Sequence, residues 1–189
     1  QRSRSHNRLT PGHYRDIIVL TLKSVEQSEV EMSTTHLYTL KTLEDQRDAN
    51  SFLTLSKPRL KNVKNHTFTW WDPSRILPGE DREAEINKHL SAADYVILLL
   101  SPYLLAAMKD QELPSIDKVQ AKLLPVMLVN VPLDDTMDCF GIDARQIYRG
   151  DQAEPHSYDS LDSAYQRNHF VDGFVSRMIR RIEGGGGWR

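Results

Sequence analysis

The chain has 189 residues, the length of one domain on the usual scale of about 100–200 residues. Its 24 Lys+Arg against 26 Asp+Glu leave a formal net charge of −2, which argues against a protein that binds nucleic acid by neutralising phosphates. A hydrophobic fraction of 39% beside 26% charged residues is too apolar for a disordered chain. The single cysteine, Cys139, excludes an intrachain disulfide and a thiolate zinc cluster.

Residues 1–15 carry Arg2, Arg4, Arg8 and Arg15 and no acid, and four glycines run from Gly184 to Gly187. This composition predicts a flexible segment over 1–14, a domain over 15–183 and a glycine-rich tail over 184–189. Both ends read as linkers, so a sensor or oligomerisation domain is expected in the same polypeptide. The longest apolar run, Tyr95 to Leu100, is far short of the roughly 20 residues that cross a bilayer. No signal-peptide core follows the basic start. The expectation is a cytoplasmic protein with no membrane contact.

Ile17-Ile18-Val19-Leu20, continuing to Leu22, reads as a first buried strand. Leu37, Leu40 and Leu43, then Phe52, Leu53 and Leu55, give residues 33–56 a helical pattern that Pro58 is expected to end. Thr67-Phe68-Thr69-Trp70-Trp71 is β-branched and aromatic, and predicts the second strand. Pro73 and Pro78-Gly79 mark an extended loop. Ala84, Ile86, Leu90 and Ala93 predict a helix over about 80–92, with Glu80 and Asp81 at its positive end.

Tyr95 to Leu100 is the clearest buried strand, ended by Ser101-Pro102. A short helix follows from Tyr103 to about Leu113, and Leu123 to Val129 is the fourth apolar strand. Residues 134–162 hold eight acids and read as solvated loop, with a short last strand at Ile147-Tyr148. Phe170, Phe174, Met178 and Ile182 recur every fourth residue and predict an amphipathic helix. Strands alternating with helices predict an α/β fold, a parallel sheet covered on both faces. Ligands of such sheets bind beyond the carboxyl ends of the strands, here the loops after residues 24, 71, 100 and 129.

No glycine-rich phosphate loop occurs, and no two of the seven histidines are spaced four apart as in zinc hydrolases. Ser101 lacks the glycines of a nucleophile elbow and reads as a helix cap. His89 reads as a surface residue, and Cys139, without a histidine partner, as inert. What remains is acids and aromatics at strand ends: Trp71-Asp72, and Glu112 beyond Ser101. One carboxylate stabilises the oxocarbenium-like sugar formed when an N-glycosidic bond breaks. Aromatic faces can stack on a base or nicotinamide ring.

The run Trp71-Asp72-Pro73-Ser74-Arg75-Ile76-Leu77-Pro78-Gly79-Glu80, then Glu85-Ile86, Leu90, Ala93-Asp94, Tyr95 to Ser101-Pro102, and Pro125-Val126 resembles the Toll/interleukin-1 receptor (TIR) domain, bacterial branch. The resemblance covers about residues 66–130. It implies a flavodoxin-like TIR fold with about five parallel strands. It makes Trp71 to Gly79 the BB loop, with Ile76, Leu77, Pro78 and Gly79 available for contacts with other copies of the domain.

The resemblance further implies an NAD+ glycohydrolase activated by oligomerisation, with NAD+ as substrate and no cofactor. Glu112 would be its catalytic residue, with Trp71, Asp72 and Ser101 in the NAD+ pocket. In bacteria such a domain is the effector of an anti-phage defence protein. The alternative within the family is a non-catalytic self-association module. Four features depart from the family pattern: Thr21-Leu22-Lys23-Ser24 at the expected end of the first strand, an interval from Ser101 to Glu112 slightly shorter than the common one, Ala106-Ala107-Met108 before the glutamate, and Pro114 after it.

Overall fold

The computed structural model describes residues 33–184 except 115, 135, 152 and 153. The strand expected at 17–22 and the segments 1–14 and 185–189 lie outside the described residues. The chain alternates strand and helix: β1 (Ser33–Leu40), α1 (Gln46–Lys61), β2 (His66–Trp71), α2 (Arg82–Ala92), β3 (Tyr95–Leu100), α3 (Pro102–Lys109), β4 (Leu123–Met127) and α4 (Ala164–Ile182). Short 3-10 turns occupy Pro73–Arg75 and Asp117–Lys122.

The four strands are all parallel, in the order β2-β1-β3-β4. Leu37 pairs with Trp70 on one side and Tyr95 on the other, and Leu98 pairs with Pro125. Alternation along each strand separates two cores. Leu37, Ile97, Leu99, Leu124 and Val126 face α1 and α4, where Phe52, Leu60, Phe174 and Met178 are buried. Tyr38, Leu40, Val96, Leu98, Leu100 and Met127 face α2 and α3, against Leu90, Leu104 and Leu105. Both faces of β3 are therefore dry, which is why its sequence is apolar without alternation.

Two expectations are corrected. Residues 33–40 form a strand, not the start of a helix, and this strand lies between β2 and β3. The i, i+3 spacing of Leu37, Leu40 and Leu43 is coincidental to the fold, since Leu43 is 81% exposed while Leu37 and Leu40 lie on opposite faces. Pro58 lies inside α1 rather than ending it. It offers no N–H to the Thr54 carbonyl, but Leu60 is buried, and Arg59 bonds to Asn168 of α4 at 2.7 Å and pairs with Asp172, so tertiary contact outweighs the lost bond.

Among the described residues no fifth strand forms. Tyr148 makes a single parallel bridge to Val126, donating its N–H to Pro125 O and accepting from Met127 N–H. This residue sits beside β4, where the fifth strand of a flavodoxin-like sheet would run. The stretch expected to be solvated loop also buries Tyr158, which contributes to the same aromatic cluster as Phe52 and Phe170. α4 starts earlier than its apolar stripe, at a capping box made by Ser163 and Gln166.

Candidate functional site

The carboxyl ends of β1 and β2 open into a cavity of about 290 Å³. One wall is the end of β1 and its following turn, Tyr38 to Leu43 with Gln46. Asp72 and Pro73 follow β2, Arg82 and Ile86 come from α2, and Glu112, Leu113 and Pro114 follow α3. Four segments distant in sequence thus converge at the place where parallel sheets bind ligands.

Lys41 stands between two acceptors, with its Nζ 3.2 Å from Asn50 Oδ1 and 3.4 Å from Asp72 Oδ2. The ring of Tyr38 stacks on Trp71 at 5.2 Å, and Trp71 stacks in turn on His89 at 4.2 Å. His89 is anchored by Glu85 at 3.4 Å. Burial raises the Tyr38 hydroxyl to about 12, the Asp72 charge adds to the rise, and Arg82 opposes it. The phenol is thus a neutral hydrogen-bonding group at ordinary pH.

Glu112 is placed by how α3 ends. The N–H of Gln111 bonds to Met108 O at 3.2 Å and that of Glu112 to Ala107 O at 2.9 Å, the paired bonds of a Schellman cap. Gln111 holds the left-handed position, φ 59°, that glycine usually takes. The helix therefore stops at Lys109, short of the expected Leu113, and Glu112 projects from the cap into the cavity lining. No side chain among the described residues donates to its carboxylate.

The predicted site residues separate into groups. Glu112 and Asp72 line one cavity. Trp71 does not: it lines an adjacent groove of about 250 Å³ with His36, Arg75 and His89, and touches the cavity only through Tyr38. Ser101 is not in the lining either. It is buried, accepts from Leu104 N–H at 3.0 Å as the cap of α3, and donates to the buried Asp45 carboxylate. Asp45 also accepts from Thr42 Oγ1 at 2.6 Å, so Ser101 supports the wall of the cavity from behind.

Ile76, Leu77, Pro78 and Gly79 form the outer part of the loop after β2. The N–H of Ile76 bonds to Pro73 O, and Leu77 to Glu80 is a turn closed by Glu80 N–H to Leu77 O at 3.1 Å. Pro78 at its second position and Gly79 at its third, with φ 95°, make it type II. Glu80 Oε2 accepts from Leu77 N–H at 2.8 Å, and the turn leaves the Leu77 side chain 64% exposed.

Sequence reasoning missed Tyr38, Lys41 and Arg82. The signal for the first two was the period-two pattern of Thr35, Leu37 and Thr39 against Tyr38 and Leu40, which makes Lys41 the first residue past a strand. Arg82 follows Asp81, which caps α2 by accepting from Glu83 and Ala84 N–H at 3.0 Å. The cavity combines two cations, two carboxylates and a neutral phenol, a set suited to a ligand that carries phosphate and develops positive charge when it reacts.

No protein-family model and no curated protein matches this chain. Among the described residues, no helix is long and apolar enough to cross a membrane.

Proposed function

We propose that the chain is a TIR-type NAD+ glycohydrolase whose activity depends on association of several copies. The observation that carries the reading is the convergence of Glu112, Asp72, Lys41 and Arg82 in one cavity at the carboxyl edge of a parallel sheet. The linked motifs across residues 66–130 support it independently of that geometry.

In the reaction, the bond between the ribose C1′ and the nicotinamide nitrogen breaks and its electron pair leaves with nicotinamide. The ribosyl cation is held by the Glu112 carboxylate until water attacks C1′ and loses a proton, giving ADP-ribose. Attack by the adenine ring instead gives the cyclic product. Lys41 and Arg82 hold the pyrophosphate, and the Tyr38 phenol hydrogen-bonds the sugar. In a bacterial cytoplasm this activity depletes NAD+, as fits an anti-phage effector controlled by a sensor or oligomerisation domain of the same polypeptide.

The test is nicotinamide release by the full chain at high concentration with a crowding agent. Glu112→Gln, which keeps size and removes charge, is expected to lower the rate by about 100-fold or more. Equal turnover by the two proteins overturns the assignment. A second reading, a self-association module without catalysis, is favoured by the exposure of Leu77 on its rigid turn. It predicts concentration-dependent assembly that Leu77→Asp abolishes, with no NAD+ consumed at any protein concentration.

A further inference from the structure

The two outer strands of the sheet differ in what lies beside them. Next to β4 the backbone of Tyr148 bridges Val126, giving its N–H to Pro125 O and accepting that of Met127. β2, at the opposite side, is paired among the described residues with β1 alone. Its residues, His66-Thr67-Phe68-Thr69-Trp70-Trp71, include no Pro, Gly, Asp, Glu, Lys or Arg. Its register is unbroken, with Ser33 to Tyr38 pairing in turn with His66 to Trp71, so no bulge turns the strand away. Proline, inward charge and bulges are the devices by which proteins keep an edge strand from pairing further. A strand of Thr, Phe and Trp that lacks them is a template for another strand.

The surroundings of this edge differ between the two faces of the sheet. On the α1 face, Lys57 Nζ stands 5.8 Å from the centre of the Trp70 ring. α1 returns antiparallel to the strands, so Lys61, one turn later on the same side of the helix, lies further toward the start of β2. Four helical residues advance about 6 Å, close to the ~6.6 Å between alternate residues of a strand. Both lysines are exposed, and among the described residues neither has an acid partner. On the α2 face lies the groove of about 250 Å³, walled by Thr69, Trp71, His89, Ala92 and Ala93, with Arg75 as a further cation. The acids near this edge are already paired: Glu85 with His89 at 3.4 Å, Asp94 with His36 at 3.1 Å, and Glu183 with His66 at 3.7 Å.

We infer that the bare edge of β2 binds an extended acidic segment of a partner protein, which adds to the sheet as a further strand. Main-chain hydrogen bonds to β2 supply affinity, and the alternation of side chains supplies selectivity. Every second side chain is acidic and faces Lys57 and Lys61; those between are apolar and enter the groove beside Trp71. A second copy of this chain is a poor occupant. Two β2 edges paired antiparallel across a two-fold normal to the sheet would bring both rows of lysines onto one face, where like charges oppose. The assignment does not rest on the glycohydrolase reading.

The probe is a fluorescein-labelled hexapeptide of alternating Glu and Val, titrated onto the full chain and followed by anisotropy. Saturable binding is expected, weakened about tenfold by Lys57→Glu with Lys61→Glu, a pair of exposed changes that gains binding of the alternating Lys and Val peptide. The Glu-Val peptide with every amide N-methylated keeps its side chains, loses its backbone donors, and is expected not to bind. No binding, equal binding by the double variant, or equal binding of the N-methylated peptide overturns the proposal. A dimer in sedimentation that Thr67→Lys dissociates overturns it as well, and assigns the edge to a second copy.

Discussion

Ser101 donates a hydrogen bond to the buried carboxylate of Asp45, a residue 56 positions earlier in the chain. The same Oδ2 accepts from Thr42 Oγ1. The bond ties the turn after β1, which walls the cavity with Lys41 to Leu43, to the end of β3 and the first turn of α3. The other end of α3 carries Glu112. One buried contact thus sets the spacing of two sides of the candidate site.

Ser101→Ala removes that bond and the cap of α3 together. Loss of a cap costs about 1 kcal/mol, and a buried carboxylate deprived of a donor adds about 1–2 kcal/mol. A fall of about 2–3 kcal/mol is expected in chemical denaturation, with Ser101→Thr retaining most of the stability. A fall under about 0.5 kcal/mol would show that Asp45 is satisfied without Ser101.

Gln111 pays a conformational penalty that glycine avoids. Gln111→Gly is expected to raise stability by about 0.5–1 kcal/mol, since the left-handed strain exceeds the added freedom of the unfolded chain. Thermal unfolding measures this directly. Gln111→Val, β-branched at the same φ, moves Tm the other way.

Gly173 in α4 leaves room for the hydroxyl of Tyr148 and the carboxylate of Asp151, and a Cβ there would overlap both. That hydroxyl donates to Phe170 O at 2.8 Å, so Tyr148, the single bridge residue beside β4, has its ring locked under α4. Overpacking by Gly173→Ala costs about 1–3 kcal/mol against roughly 1 kcal/mol of improved helix propensity. A net loss is expected, read as a lower denaturation midpoint; a gain would mean that Tyr148 shifts freely.

Asp94 accepts from His36 N–H at 2.8 Å and stands 3.1 Å from His36 Nδ1. These bonds, the backbone one foremost, hold its carboxyl below its ordinary value. The native state therefore binds this proton less readily than the unfolded chain. The stabilisation is complete above about pH 4 and is lost as pH falls through the lower native value. Half of the carboxylate is exposed, so the effect stays below about 1 kcal/mol. Asp94→Asn is expected to lower stability at pH 7 and to flatten the acid limb of the stability–pH curve; an unchanged limb would exclude the pair as its source.

Much of the architecture was legible. Tyr95 to Leu100 and Leu123 to Met127 are apolar because both faces of their strands are covered, and α4 repeats its apolar residues because one stripe meets the core. β1 was not legible for a matching reason. Its strand has polar Thr35 and Thr39 buried, the latter as acceptor for Trp70 Nε1 at 2.7 Å, so the hydrophobic pattern was thinned to leucines at helical spacing. Glu112 and Asp72 were identified from local motifs, whereas Lys41 and Arg82 look in sequence like any surface cations.

By itself the sequence determined the alternation of parallel strands and helices and the Pro-Gly turn at 78–79, because periodicity and turn chemistry are local properties. Only the tertiary structure decided that residues 33–40 are the strand between β2 and β3. It also decided that Ser101 bonds to the buried Asp45, and that Glu112, Asp72, Lys41 and Arg82 share one cavity. Those outcomes depend on which faces meet when distant segments pack. Spacing along a chain carries no record of that contact.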